Sequence, residues 1–499
     1  MKQKFLTKTV FISACCAISS ANATELKGTD ISNEMFLTPT QISADIALAE
    51  EAYSRIHPGY TRYASAEQMA GAWDQLEARA LATNGMSVGD FYLGVEKVLT
   101  EIRCDHTKAE LSKSLIDARK KTRVYLPIRW SLIEGRGIVR TSGRDTGLVY
   151  GDEIIAIDGR PLQGMVEEVL PYIPMDGYTE WGRTGGVSES LEFRGGAIDH
   201  FGALLWDIKP QAKLTLQNEA GVTREQIVDR ISFEDWTALG AEDGVTKNFK
   251  DAVTFERIGE YGAYLSVDTF VNYRDPIDPD KIFDPIFDAI ADENREFLIL
   301  DIRQNGGGSS DAQAGLLNRI MTEKKAFSRD VQVKTLNIDG LREHLWTWEK
   351  SALRPNKLAF KKNADGTYSF RKFAGQHGKI KPKKNAFKGK LVVLTSHSNS
   401  SASATILAHL KDSGRATLIG EKAGGSAEGT TAGVQFTLTL PESGIKTRIP
   451  IIRYFTNIKS FEPGLSTSPD IYAPNTVAAF RQRRDPAMEA ALKFINADK

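Results

Sequence analysis

Between Thr395 and Ser403 the chain places five hydroxyls, Ser396, Ser398, Ser400, Ser401 and Ser403. They follow an apolar stretch, Leu391 to Leu394, and run into Ala402 to Leu410, which reads as a helix. A serine at such a strand-to-helix turn stands at the positive end of the helix dipole. Its oxygen is exposed there, and nearby N–H groups can hold an oxyanion. The same place suits an ordinary N-cap serine, and the residues alone do not choose among the five. A serine nucleophile needs a base that titrates near neutral pH, usually histidine. His106, in Cys104-Asp105-His106-Thr107, and His397, inside the serine run, both qualify. A carboxylate able to orient an imidazole is offered by Glu462 in Phe461-Glu462-Pro463-Gly464. Asp301 to Gly308, DIRQNGGG, ends an apolar stretch in three glycines. Such a turn lets backbone N–H groups approach developing negative charge. His-x-x-x-His, Cys-x-x-Cys, P-loop and dinucleotide patterns are absent. Neither metal nor cofactor is expected.

These residues must be brought together by elements far apart in the chain. Ile42, Ile46, Ala49 and Tyr53 recur at helical spacing, as do Met69, Trp73, Leu76 and Ala80 after a Ser65-x-x-Gln68 capping box, and Phe91, Val95, Val98 and Ile102 after Ser87. Amphipathic helices are expected from about 41 to 103, after an unstructured lead-in over 24–40. From about 122 to 235 the texture changes to short β-type runs with glycine-rich turns. Glu153 to Ile157 is a strand between a Gly151-Asp152 turn and a tight Asp158-Gly159 turn. Beyond about 250 strands and helices alternate, which argues for an α/β core. Phe297 to Ile302 and Leu391 to Thr395 are its buried strands. Val434 to Leu440 and Ile449 to Phe455 pair around Ser443-Gly444. A polar stretch, 325–390, reads as an insertion. Its second half, 361–390, holds ten Lys or Arg and one acid, Asp365, and suits a solvated loop better than an electropositive docking face.

Composition bounds the partners. The 499 residues are 41% hydrophobic and 26% charged with zero formal net charge, so nothing favours nucleic acid or an anionic membrane. Lys2, Lys4 and Lys8, a small or apolar run Thr9 to Ser19, and Ala21-Asn22-Ala23 form a signal-peptide pattern over 1–23, cleaved after Ala23. The apolar run is too short to span a bilayer. Ile12-Ser13-Ala14-Cys15 also resembles a lipobox, so a membrane link would run through Cys15. Export to the periplasm is expected, with lipid anchoring or full secretion as alternatives. The mature chain keeps only Cys104, which excludes an internal disulfide.

Taken together the motifs resemble the C-terminal-processing, or tail-specific, serine peptidases. DIRQNGGG at 301–308, SSASATILAHLKDSGRATLIGE at 400–421 and FEPGLSTSPDI at 461–471 match its signatures, and GLVYGDEIIAIDGRPL at 147–162 is similar to the end of a PDZ-type domain. The resemblance implies an α/β multidomain fold: a helical region over 24–121, a PDZ-like domain over 122–235 and a crotonase-like α/β peptidase core over 236–499. Its register assigns the nucleophile to Ser401. In the Ser-Lys branch the base is a lysine 25 residues after the serine, and that position here is Ser426; Lys422 is the nearest lysine. The chain instead is similar to the tricorn-core and chlamydial-protease-factor branch, which implies His106 as base and Glu462 as the orienting carboxylate. The oxyanion would be held by the N–H of Ala402 and one glycine N–H, here assigned to Gly307. Implied substrates are proteins or peptides. The rival readings are a peptide-binding scaffold that has lost catalysis and a hydrolase of other esters or amides.

Overall fold

The computed structural model describes residues 35–143, 146–190, 193, 195–239 and 248–497. The expected signal segment 1–23 lies outside them. Of the lead-in expected over 24–40, residues 24–34 also lie outside them, and the rest is structured: Phe36–Leu37 pairs with Met86–Ser87, and the first helix opens at Pro39.

The N-terminal region is the expected set of helices, Pro39–Ile56, Ala66–Ala82 and Val88–Thr100. Thr38 with Gln41 and Ser65 with Gln68 form reciprocal capping boxes, and Ser87 caps the third helix. The periodic residues all face inward: Ile42, Tyr53, Trp73 and Phe91 are at most 1% exposed. Each such side chain contributes about 1.5–3 kcal/mol by leaving water.

An antiparallel sheet follows, in the order Ile128–Ile133, Arg136–Ser142, Glu153–Ile157, Gln211–Gln217, Thr223–Asp229. Asp158 and Gly159 take φ of 52° and 80°, the left-handed pair that a two-residue hairpin turn requires. Between the third and fourth of these strands run the helices Leu162–Val169, Glu180–Ser188 and Ala197–Leu205.

The core is a six-stranded sheet ordered Val253–Ile258, Gly262–Val267, Phe297–Asp301, Lys390–Thr395, Thr417–Gly420, Ile471–Tyr472, parallel from the second strand onward. Its central strands are buried on both faces, as parallel strands covered by helices must be. Leu298, Leu300 and Val393 meet Phe283, Leu316 and Ile406 on one side. Ile299, Val392 and Leu394 meet Ala491 and Ile495 on the other.

The stretch 325–390 departs from the loop expected of it. Ser328–Val333, Leu345–Trp346, Phe360–Lys362 and Tyr368–Phe370 join Thr431–Thr439 and Lys446–Thr456 in a second sheet. Val331 and Val333 alternate inward with Phe360, Tyr368 and Phe370 packed beside them, so Lys361 and Lys362 sit on a strand of a sheet with one apolar face. No helix among the described residues is long and apolar enough to cross a membrane.

Candidate active site

The serine run occupies the turn between the buried strand Lys390–Thr395 and the helix Ser401–Ser413. Fully buried Asn399 stitches that turn: its amide donates to the carbonyls of Ile302 (2.6 Å) and Asn305 (3.2 Å), and its own carbonyl accepts from Gly424 and Gly425. The hydroxyls sort themselves by partner. Ser396 Oγ donates to the Arg303 carbonyl (2.5 Å), Ser403 Oγ to the Asn305 carbonyl (2.6 Å), and Ser400 Oγ to Asp105. Ser401 Oγ has no hydrogen bond among those described. Its backbone φ is 50°, a left-handed conformation that costs a non-glycine residue of order 1–3 kcal/mol. A strained serine opening a helix at a strand end is the geometry of a nucleophile elbow. Glycines flank it closely. A Cβ on Gly307 would lie 2.8 Å from Ser401 Cβ, and one on Gly425 would lie 3.2 Å from Ser401 N.

His106 arrives from the opposite end of the chain. After the third helix, Arg103 turns the backbone at φ 56°, and Thr107 N–H closes a turn on the Cys104 carbonyl (3.0 Å). Ala109–Glu110 then pairs with Lys446 and Thr447. Buried His57 holds the turn from behind. Gly59 N–H donates to its Nδ1 (3.0 Å), so Nε2 carries the proton and donates to Thr107 Oγ1 (2.9 Å). Burial pushes the His57 imidazole down to about 3, so it stays neutral. His106 Nδ1 lies 2.6 Å from Asp105 Oδ1 and 3.4 Å from Thr430 Oγ1. Burial works against the charged imidazole, but the Asp105 carboxylate overrides it and raises His106 well above the ordinary histidine range. Asp105 in turn is held below the carboxylate range: burial opposes this, and His106, Ser400 and Lys108 outweigh it.

The serine and histidine turns therefore meet, through Ser400 Oγ donating to Asp105 while Asp105 holds His106. Ser401, Ala402, Gly307 and His106 all line one cleft of about 2930 Å³. Glu462 does not line it. That side chain is exposed, and the carboxylate on the imidazole is Asp105. The turn of Glu462 is anchored instead by Glu428, which is paired with Arg62 and accepts from Tyr63 Oη (2.7 Å) and Gly464 N–H (2.9 Å). Gly307 is also placed differently from the expectation. Its N–H is already given to Asn305 Oδ1 (2.9 Å), so it offers close approach to Ser401 rather than a free donor. The N–H groups of Ala402, Gly306 and Gly308 have no acceptor among the described bonds. The other candidate bases are engaged: His397 Nδ1 lies 3.0 Å from Glu421, and Lys422 Nζ sits 4.8 Å from the centre of the Trp181 ring. The DIR portion of the glycine motif is structural, since Arg303 bonds Asp301 (2.7 Å) and Asp485 (2.7 Å) and ties the strand end to the last helix.

Residues 262–473 match the profile of peptidase family S41, and residues 122–237 match that of a PDZ domain. The chain carries an S41 peptidase domain. It is a peptidase, a hydrolase acting on protein or peptide substrates, with a mixed α/β multidomain fold. Among solved structures, mature CPAF is similar at 16% identity, with 89% of this chain and 94% of that chain covered and a TM-score of 0.61. Mature CPAF complexed with lactacystin matches at 16% identity over 91% and 97% of the two chains, TM-score 0.59. These likenesses extend the shared fold beyond the S41 domain to nearly the whole chain. No curated protein matches the sequence. The S41 peptidase cleft also takes Trp348 and Lys379 from the stretch read as a loop. The sequence reading missed Asp105 as a partner of His106, the stitching residues Asn305 and Asn399, and Asp176, a buried carboxyl in the cleft wall. For Asn305 a signal existed: Asn followed by two glycines bonds its own backbone two residues on.

Proposed function

We propose that this S41 peptidase cleaves peptide bonds through an acyl-enzyme, with Ser401 as nucleophile and His106 as general base. The contact of the His106 turn with the serine turn, across 295 residues of sequence at Asp105 and Ser400, carries the reading. His106, once neutral, takes the Ser401 proton as the oxygen attacks the carbonyl and then returns it to the leaving amine. In this reading Asp105 takes the role the resemblance gives to Glu462: its carboxylate lies against Nδ1 and stabilises the charged form of the imidazole. Ala402 N–H holds the oxyanion, with Gly306 or Gly308 N–H as second donor. Water then releases the acyl group.

The test is intact-mass analysis after treatment with a fluorophosphonate, run on wild type, Ser401→Ala and His106→Ala. One adduct on wild type, lost in both variants, is expected, with kcat for a peptide lowered about 10⁴–10⁶-fold in each variant. An adduct that survives in His106→Ala moves the base to His397 or Lys422. No adduct on folded wild type returns the chain to the scaffold reading. We further propose export through the 1–23 segment. N-terminal sequencing of periplasmic protein should begin at Thr24, and a blocked, lipid-bearing Cys15 would replace that with anchoring.

A further inference from the structure

A six-residue stretch inside the PDZ match, 176–181, touches the turns that carry His106, Glu462 and Ser426. Gly177 N–H donates to the carbonyl of Arg103 (2.9 Å), three residues before His106. Tyr178 N–H donates to Gly464 (2.8 Å), beside Glu462. Thr179 Oγ1 and Trp181 Nε1 donate to the carbonyls of Gly424 and Ala423, both at 2.6 Å. Asp176 Oδ2 accepts from Ser426 N–H at 2.9 Å, the position where the other branch of the resemblance has its lysine. The fit is tight: a Cβ on Gly177 would lie 2.4 Å from the Gly464 carbonyl oxygen.

Asp176 is 3% exposed and its contacts are otherwise local. We propose that Asp176 is a positioning residue for the histidine base: it fixes the Ser426 turn against the His106 turn, and its carboxyl sets through space how readily His106 releases a proton. This rests on the reading of His106 as base. The charged and titratable groups around His106 are Cys104, Asp105 and Lys108 on its own turn, His57 and Arg62 from the first helix end and the turn beyond, and Asp176 from the clamp. Arg62 is paired with Glu428 and His57 is neutral. Asp176 is the member whose charge changes near neutrality, because burial, then repulsion from Asp105, push it up to about 7. Below that pH it is neutral. Above it, a second negative charge faces the imidazolium and holds its proton more tightly.

The experiment uses the full chain as Ser401→Ala, with the His106 ring resonances followed against pH by NMR, with and without Asp176→Asn. Asparagine keeps an oxygen for Ser426 N–H and removes the charge. The His106 midpoint should fall by roughly half to one unit. In the active enzyme the acid limb of kcat/KM should move down with it at unchanged KM. Asp176→Ala also removes the acceptor, and its kcat should fall about tenfold further at the plateau. An unmoved midpoint in a variant with unchanged melting overturns the proposal. A moved midpoint with an unmoved acid limb upholds the coupling and overturns His106 as base. If Asp176→Asn does not fold, Ser401→Ala alone decides: the His106 curve should carry a second inflection near neutral pH, and a single inflection overturns the proposal.

Discussion

The two halves of the candidate site are built in opposite ways. Ser401 is held almost entirely by its own neighbourhood: a strand buried on both faces, the helix it opens, and the glycines and asparagines of adjoining loops of the same sheet. His106 sits on a turn with little structure of its own, placed by His57 behind it, Gly177 beside it and the strand Lys446–Thr456 beyond it. Local construction makes the serine insensitive to distant change. Remote construction makes the histidine the point at which other regions can set activity.

That contrast can be broken most directly at the carboxylate. Asp105→Asn should lower kcat about 10³–10⁴-fold, by analogy with loss of the orienting aspartate in a serine triad, and Glu462→Gln less than about threefold. Peptide turnover of the two variants side by side checks this, and the reverse ranking would return the orienting role to Glu462. On the serine side, Gly307→Ala meets both a φ of 111° and the 2.8 Å approach to Ser401. It should cut kcat about a hundredfold while costing of order 1–3 kcal/mol of stability, read from kinetics and denaturant melts. On the histidine side, Thr107→Val leaves His57 Nε2–H without its buried acceptor. It should lower kcat roughly tenfold at unchanged KM and destabilise by about 1–3 kcal/mol. The smallest effect is in pH. His106 must lose its proton to act, and its raised affinity for that proton means the acid limb of kcat/KM lies above the ordinary histidine value near 6.5. Activity therefore rises with pH through that limb, and Asp105→Asn should move it lower.

The same contrast explains what could be read from the chain alone. The capping boxes, the Asp158-Gly159 turn and the doubly buried strands are local signals, and they appear where periodicity and turn chemistry put them. The position of Ser401 followed from a motif register; its left-handed backbone, and a hydroxyl with no partner among the described residues, had no signal in the sequence. Asp105 and Asp176 were not legible, because what matters is the residue each faces across the fold, and no spacing encodes that. The stretch 325–390 was misread because Arg329, Asp330 and the lysines mask an alternation that only pairing with Lys446–Thr456 reveals.

The pairing of Ala109–Glu110 with Lys446 and Thr447 also orders events in time. Arg448 bonds Glu110 across 338 residues, so the strand that receives the histidine turn leaves the ribosome long after the turn itself. The core around the N-terminal helices also takes Phe436, Leu438 and Ile449, so that region and the histidine turn are both completed only by the C-terminal strands. The peptidase site is thus complete only once the C-terminal part of the chain has joined the N-terminal part.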